Sequence, residues 1–467
     1  MRSLKNIFFI FLLGLAGGAF AQLPRLRVSD DKHFLVTADG KPFFWLGDTG
    51  WELFHRLDKT DAAMYFKKRS EQGFTVIQAV VLAELNGLHS PNANGDLPLA
   101  GDDPAKPNEA YFKYVDTLID LAAQYHLYIA LLPTWGDKVF RNSWGVGPEI
   151  FDETNGYAYA KWIGARYKNR TNIIWVIGGD RSPREHSHDV SIWRAMAKGI
   201  LDGVGDAARP LMTFHPQPDG TSSSSQWFQQ DDWLGVNMLQ TGHCRDTPVW
   251  EMVSDDYHKT PAKPVVNGEN IYEEMPVCFN AKELGYGSAY DVRKSAYLSL
   301  FAGAAGHVYG AGPVIWFSEK TDNLFAALHT WREALNLNGA NEMKYVRALI
   351  ASRPMLDRVP DQSMIAGEGS GAAERIEATR GTDYAFIYSA YGEKIIVKKN
   401  KIAGAKLKAS WYDPRTGKTI SIGVFDNNGD LGFTPPLPKP SPVPSEKEDW
   451  VLILDDAAKN YPMPGTP

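Results

Sequence analysis

At residues 173–180 the chain reads IIWVIGGD, which is an apolar run of five residues followed by two glycines and a carboxylate. A second segment, VVNGE at residues 265–269, has the same design and ends in a glutamate. Short apolar runs bounded by glycine are typical of strands that are buried on both faces of a parallel sheet. Both segments therefore predict strands of such a sheet, each with an acidic group at its carboxyl end.

Eight apolar runs of this kind occur before residue 316, and amphipathic stretches lie between most of them. The runs are 43–46, 74–81, 127–132, 173–177, 211–214, 233–238, 264–266 and 308–315. Helical patterns occupy 62–72, 111–125, 157–167, 192–201 and 292–305. The alternation predicts an α/β fold, a (β/α)₈ TIM barrel. A doubly wound open sheet is the alternative, but no glycine-rich phosphate or dinucleotide fingerprint follows an early strand.

The pattern changes near residue 355. Short β runs follow, separated by turns such as DPRTG at 413–417 and DNNGD at 426–430. Regular short strands with such turns predict a small β-sandwich. We therefore expect a catalytic barrel over residues 22–355 and a C-terminal β-sandwich over residues 356–467, with the proline-rich stretch 435–444 as an extended loop.

The first 21 residues have the features of a secretory signal peptide. Arg2 and Lys5 are followed by an apolar run at 7–15 and by Ala19-Phe20-Ala21, a small-x-small cleavage site. An uncleaved membrane anchor is the alternative. We expect export to the periplasm or the medium, with no membrane attachment after cleavage.

Composition excludes several classes of function. The formal charge of −6 argues against a nucleic-acid partner, which would require a basic surface. No Cys/His spacing indicates a metal site, and no motif indicates a cofactor. The 14 tryptophans hint at sugar stacking, although tryptophan is also a core residue. The sequence does not indicate an oligomeric state.

Asp180 and Glu269 follow the fourth and seventh runs. In a barrel, the carboxyl ends of the strands meet at one mouth, where these two acids would face each other. Glycoside hydrolysis requires such a pair, with one protonated acid to help the leaving oxygen depart and one ionised carboxylate to attack or to activate water. The alternative for each is an N-cap or a loop salt bridge.

Other strand ends supply further polar and aromatic side chains. Asp48 could bond sugar hydroxyls or hold its turn through backbone amides. Trp135 and Trp316 could stack on sugars or close the barrel as a lid. His215 could bond the nucleophile or a sugar hydroxyl, or it could be structural. The full set of candidate substrate-binding residues is Asp48, Trp51, Gln78, Glu84, Trp135, His215, Asn237, Gln240 and Trp316.

The chain has two cysteines, Cys244 and Cys278. They follow the sixth and seventh runs, and this places them on adjacent loops at the same face of the barrel. If the protein is exported, its oxidising surroundings allow a disulfide between them; two buried thiols are the alternative.

Several of these segments carry a resemblance to a known family. The segments DGKPFFWLGDT at 39–49, NIIWVIGGD at 172–180, KPVVNGE at 263–269 and GHVYG at 306–310 resemble the apiosidase-like barrel of glycoside hydrolase family 140. The segment WYDPRTG at 411–417 resembles a domain family described as a collagen-binding domain of a collagenase. The resemblance covers nearly the whole chain after residue 21.

The resemblance implies a retaining endo-apiosidase, a hydrolase that cleaves apiose–galacturonic acid linkages in side chains of the pectin rhamnogalacturonan-II. It implies that Asp180 is the acid/base and Glu269 the nucleophile. Related barrels usually carry Asn-Glu at strand four, where this chain has Gly179-Asp180. A non-catalytic glycan- or collagen-binding protein with an inactive barrel is the alternative function. A metalloprotease is disfavoured because no HExxH motif is present.

Overall fold

The computed structural model describes residues 22–465 except 143, 206–208, 219–221, 320–321, 323–324, 326, 370 and 437–447. The segment predicted as a signal peptide and most of the proline-rich stretch therefore lie outside the described residues. Among the residues that are described, no helix combines the length and apolar character needed to cross a bilayer.

Eight parallel strands form the barrel, which confirms the predicted fold class. They are β4 (Trp45–Thr49), β5 (Val76–Leu82), β6 (Tyr128–Thr134), β7 (Ile173–Gly178), β8 (Met212–His215), β9 (Asn237–Gln240), β10 (Val265–Glu269) and β11 (Gly306–Tyr309). The hydrogen-bonded order is β8-β7-β6-β5-β4-β11-β10-β9. The barrel is nearly closed between β8 and β9, where the Gly235 amide donates to the Met212 carbonyl at 2.9 Å.

Helices surround the strands. They are α1 (Leu53–Arg56), α2 (Lys59–Glu71), α3 (Glu109–Gln124), α4 (Glu153–Tyr167), α5 (Asp189–Val204), α6 (Ser225–Phe228), α7 (Val249–Tyr257), α8 (Ala281–Leu284), α9 (Ala289–Phe301), α10 (Gly312–Ile315), α11 (Trp331–Ala334) and α12 (Asn338–Ala351). Where the sequence between the fifth and sixth runs lacked a helical pattern, the described residues form only the single turn α6.

A small antiparallel sheet precedes the barrel and consists of β1 (Leu26–Val28), β2 (Leu35–Thr37) and β3 (Pro42–Phe43). Its side chains Leu26, Leu35 and Phe43 join the apolar cluster that fills the barrel interior together with Trp45. The sheet thus covers the amino-terminal end of the barrel and leaves the carboxyl end for a site.

Two predicted strands are displaced in the structure. The sixth begins at Asn237 rather than at residue 233, because 231–234 form a turn closed by the Leu234 amide on the Asp231 carbonyl. The eighth ends at Tyr309, and 312–315 form the helical turn α10. Pro313 has no amide hydrogen for a strand ladder but suits the first turn of a helix.

The C-terminal region is a β-sandwich, as predicted. A six-stranded antiparallel sheet has the order β12-β13-β14-β19-β16-β17, and β15 pairs with β18. Ile395, Leu407 and Phe433 belong to the core between them. The strands are β12 (Val359–Pro360), β13 (Ile376–Arg380), β14 (Tyr384–Ser389), β15 (Ile395–Val397), β16 (Lys406–Tyr412), β17 (Thr419–Asp426), β18 (Leu431–Phe433) and β19 (Trp450–Asp456), and a short helix α13 (Gly371–Glu374) precedes β13.

The sandwich packs on helix α9 of the barrel. The ring of Tyr297 stacks on that of Tyr388 with centroids 4.9 Å apart. Beside them, the guanidinium of Arg293 forms a buried ion pair with Asp449, with an Nη2–Oδ1 distance of 2.7 Å. Arg358 donates to the carbonyl of Leu300 in the last turn of α9 and to that of Ala304, just after the helix, at 2.8 Å. One continuous apolar cluster crosses this interface.

Candidate active site

The backbone after β7 makes a sharp turn that raises a carboxylate into the barrel mouth. Gly178 and Gly179 have φ angles of +91° and +122°. A Cβ on Gly178 would lie 2.5 Å from the His215 carbonyl oxygen, and one on Gly179 would lie 3.0 Å from the Gly136 amide nitrogen. Only glycine fits both the angles and the space. Asp180 itself has φ +53°, a left-handed conformation that an aspartate tolerates at some energetic cost.

The carboxylate of Asp180 accepts hydrogen bonds from two uncharged donors. Gln240 Nε2 donates to Oδ1 at 3.1 Å, and the indole Nε1 of Trp144 donates to Oδ2 at 2.6 Å. Burial, followed by the negative charge of Glu269, raises the pKa of Asp180 to about 6. This carboxyl group can therefore carry a proton in mildly acidic solution.

Glu269 ends strand β10 and faces two imidazole rings. Its Oε2 lies 3.0 Å from His215 Nε2, and its Oε1 lies 3.2 Å from His243 Nε2. Burial alone would raise the pKa of Glu269, but the contacts with His215 and His243 outweigh it and lower the pKa to about 2. Glu269 is therefore ionised where Asp180 is still protonated.

His215 lies between the two acids. Its Nδ1 is 3.2 Å from the backbone amide of Asp180, which can only donate, so this ring nitrogen accepts. The ring proton of the neutral form must then be on Nε2, on the side of Glu269, although this N–H is poorly aligned with the nearest carboxylate oxygen. His215 thus holds the turn that carries Asp180, and the positive end of its Nε2–H bond faces Glu269.

His243 is a member of the site that the sequence analysis did not identify. Its Nδ1 lies 2.9 Å from the Asn270 carbonyl oxygen, which can only accept, so Nδ1 carries a proton. Its Nε2 faces Glu269, and attraction to an ionised Glu269 requires a proton there as well. The position of His243 three residues after the end of β9, next to Cys244, is the sequence signal that could have identified it.

A disulfide joins Cys244 and Cys278, on the loops after β9 and β10. Within these loops the Cys278 amide donates to the His243 carbonyl at 2.9 Å. The cross-link and this hydrogen bond together limit the movement of the His243 loop relative to the β10 loop. His243 is in this way held beside Glu269.

Aromatic rings pack around the polar side chains of the site. Trp51 lies 5.2 Å from Trp135 and 5.3 Å from His215 between ring centroids, and both tryptophans are almost fully buried. Trp316 donates its indole N–H to Glu84 and stacks on Phe325 at 4.9 Å. Trp316 follows the turn α10 rather than a strand, but its ring still reaches the mouth.

Glu84 is a third acid near the site. Burial and then the charge of Glu52 raise its pKa well above the usual range, and Asp180 and Asp137 add to the effect. A neutral carboxyl here does not compete electrostatically with Glu269.

Gln78 lies within the barrel. Its Nε2 donates at 2.9 Å to the carbonyl of Gly268, the residue directly before Glu269.

Two predicted substrate-binding residues are not brought to the mouth. Asp48 is fully buried, and its Oδ2 accepts from Arg69 Nε at 2.6 Å and from the Tyr65 hydroxyl at 2.5 Å, both from helix α2. Asn237 is at the first position of β9, opposite Val265 at the start of β10. It therefore lies at the far end of the strand from Gln240. Its sequence-based placement assumed a strand that began four residues earlier.

The sequence analysis also missed Trp144 and Tyr272. Trp144 lies in the loop between β6 and α4, remote from any strand end. The ring of Tyr272 is 4.7 Å from that of His243, and burial and the charge of Glu269 raise the pKa of its hydroxyl well above the usual range. Within the described ranges, no group of three or more His, Cys, Asp or Glu residues is arranged to hold a metal ion.

Two protein families match most of the chain. Residues 29–357 match the family described as "Apiosidase-like, catalytic domain", and residues 359–455 match the one described as "Putative collagen-binding domain of a collagenase". A solved structure titled glycoside hydrolase shares 35% identity over 94% of this chain and 98% of its own, with a TM-score of 0.84.

A second solved structure, described as a glycoside hydrolase family 5 protein from Bacteroides vulgatus ATCC 8482, shares 33% identity over 95% of each chain, with a TM-score of 0.85. A third from the same organism, at 16% identity over 92% of this chain and 82% of its own and a TM-score of 0.66, shows the fold alone. No curated protein matches the chain.

Proposed function

Because the chain belongs to the glycoside hydrolases with an apiosidase-like catalytic domain, we propose that it hydrolyses a glycosidic bond by double displacement, with Asp180 as acid/base and Glu269 as nucleophile. The observation that supports this most strongly is that the pKa values of the two acids are shifted in opposite directions. Around one shared histidine, the pKa of Asp180 is raised to about 6 and that of Glu269 is lowered to about 2.

The reaction has two steps. In the first, a carboxylate oxygen of Glu269 attacks the anomeric carbon, and the bond to the leaving oxygen breaks as Asp180 transfers its proton to that oxygen. The product is a glycosyl ester of Glu269. In the second step ionised Asp180 takes a proton from water, which attacks the same carbon and releases Glu269. His215 and His243 favour the carboxylate form of Glu269 at the start and at the end.

For the substrate we propose pectin of the plant cell wall, with cleavage between apiose and galacturonic acid in side chains of rhamnogalacturonan-II. This would place the chain in glycoside hydrolase family 140. The description of the matching family and the aromatic rings around the site support this proposal. We further propose that the protein is exported and acts in the periplasm or outside the cell.

The test is hydrolysis of purified rhamnogalacturonan-II oligosaccharides, with the released fragments identified by mass spectrometry and the Glu269→Ala variant as a blank. We expect fragments that carry apiose at the new reducing end. Release of other sugars from a wider panel, with apiosyl linkages intact, would overturn the substrate and leave the mechanism standing.

The match of residues 359–455 favours a second candidate, a non-catalytic protein that binds collagen or glycan. The extensive buried contact between the sandwich and α9 instead suits a structural role. Retention of the intact protein on gelatin, without hydrolysis of any glycoside, would favour the second candidate.

A further inference from the structure

Trp144 is a large aromatic residue that the protein leaves exposed beside its acid. The side chain is 40% exposed, on the loop between β6 and α4. Its indole nitrogen nevertheless makes a short bond of 2.6 Å to Asp180 Oδ2. An exposed indole contributes little to folding, so its position calls for another explanation.

The loop is built to hold this ring in place. The guanidinium carbon of Arg181 lies 4.9 Å from the centre of the indole, and its Nη2 donates to the Trp144 carbonyl at 2.6 Å. Arg181 is itself fully buried and donates to the Asp180 carbonyl, and its Nη1 lies 3.6 Å from Asp180 Oδ2. With Glu269 and His215, it is one of the charged or titratable groups that act on this carboxylate. The backbone just after Trp144 is held by the buried side chain of Asp137, whose Oδ2 accepts from the Gly147 amide at 2.9 Å.

These contacts leave part of the indole free. The guanidinium covers one face and Asp180 occupies the N–H edge, so the exposed surface is the opposite face and the remaining edge. This surface borders the acid rather than the nucleophile. In a double displacement the acid contacts the oxygen of the leaving group, so the free face borders the space that the leaving sugar must occupy.

We propose that Trp144 binds the leaving-group sugar on its free face and, through its N–H, positions Asp180 and favours its ionised form. The inference rests on the proposed roles of the two acids. A hydrogen bond to the carboxylate favours the base form that the second step requires, and the ring places the leaving oxygen next to the same carboxyl group. Trp144 would thus link binding of the leaving group to the proton transfer.

Two variants separate the two parts of the proposal. Trp144→Phe keeps a ring and loses only the N–H, whereas Trp144→Ala loses both. Val146→Ala, an exposed apolar truncation in the same loop, is the matched control. The first measurement is the titration of Asp180 by ¹³C NMR in protein labelled at the aspartate carboxyl carbon, with the resonance assigned by Asp180→Asn.

We expect both tryptophan variants to raise the pKa of Asp180 by roughly one pH unit, because the lost bond stabilised the ionised form, and the control to leave it unchanged. A titration of Trp144→Phe that coincides with that of the wild type would overturn the positioning role. This readout needs no substrate, so it stands even if the protein cleaves no pectic sugar.

The second measurement compares KM for an oligosaccharide with KM for the matching glycosyl fluoride, which has no leaving-group sugar. Trp144→Ala should raise KM for the oligosaccharide by roughly three- to tenfold and leave KM for the fluoride unchanged. Trp144→Phe retains a ring, so it should leave both KM values unchanged. Equal effects of Trp144→Ala on the two substrates, or no effect on either, would overturn the platform role.

Discussion

The ends of β7 and β10 resemble each other in sequence but differ in surroundings. Each offers an acid after a glycine, yet Asp180 has a left-handed backbone and accepts from an indole and an amide, while Glu269 remains in its strand and faces two imidazoles. At Asp180, burial and the charge of Glu269 outweigh the nearby Arg181 guanidinium and raise the pKa, whereas at Glu269 the two imidazoles outweigh burial and lower it. The division of roles therefore arises from the neighbours rather than from the acids.

The largest expected effect is that of Glu269→Ala. Without a nucleophile neither step proceeds, so kcat for every substrate should fall on the order of 10⁵-fold. Initial rates on an oligosaccharide and on an aryl glycoside measure this, with Glu251→Ala, an acid on the outer helix α7, as the control. A substantial residual rate with product of inverted configuration would contradict the assignment.

Asp180→Ala should have a smaller and selective effect. Natural sugar–sugar bonds need the acid, so their cleavage should fall by roughly 10²–10⁴-fold, whereas an aryl glycoside with a good leaving group should still form the glycosyl-enzyme. Azide needs no deprotonation and should restore turnover, with a glycosyl azide of retained configuration detected by NMR. Rescue of the Glu269 variant instead would mean that the two roles are reversed.

The pH profile of the wild type tests the tuning of the pair. Activity requires protonated Asp180, so it should be present below a pH of about 6 and lost as the pH rises through that value. On this basis kcat/KM should fall by about a hundredfold between pH 5 and pH 8. A flat profile over this range would contradict the role of Asp180 as the acid.

The effect of His243→Phe should be the smallest. The variant keeps a ring between Tyr272 and Phe279 but removes the imidazole that contacts Glu269 Oε1. The pKa of Glu269 should then rise from about 2 by roughly one to two pH units, so that kcat/KM is about two- to tenfold lower at pH 3 and little changed at pH 5. His89→Asn, at an exposed surface pair, serves as the control. An unchanged acid limb would show that His215 alone keeps Glu269 ionised.

The sequence predicted the barrel and the strand ends at which Asp180 and Glu269 lie, because these depend on local patterns: apolar runs, and glycines where the backbone must turn. Asn237 was misplaced because a turn at 231–234 also has an apolar pattern and so extended the predicted strand. Asp48 follows the strand rule, but its partner Arg69 comes from a helix 21 residues away, and packing alone selects that pairing.

Trp144 and His243 were beyond the reach of this reasoning for a related reason. Their roles depend on hydrogen bonds to residues 36 and 27 positions away, and only the closed barrel brings these partners together. Periodicity identifies the strands of a barrel, but it does not identify which loop folds back over the mouth.

The packing of the sandwich on α9 has a consequence for the chemistry at the other side of the barrel wall. Ser299 of α9 accepts from Asn267 Nδ2 at 3.0 Å, two residues before Glu269. Through α9, the C-terminal domain thus supports the strand that carries Glu269, although it lies outside the mouth. Its removal would expose Tyr297 and Phe301, so we expect a truncated barrel to lose order around Glu269 as well as stability.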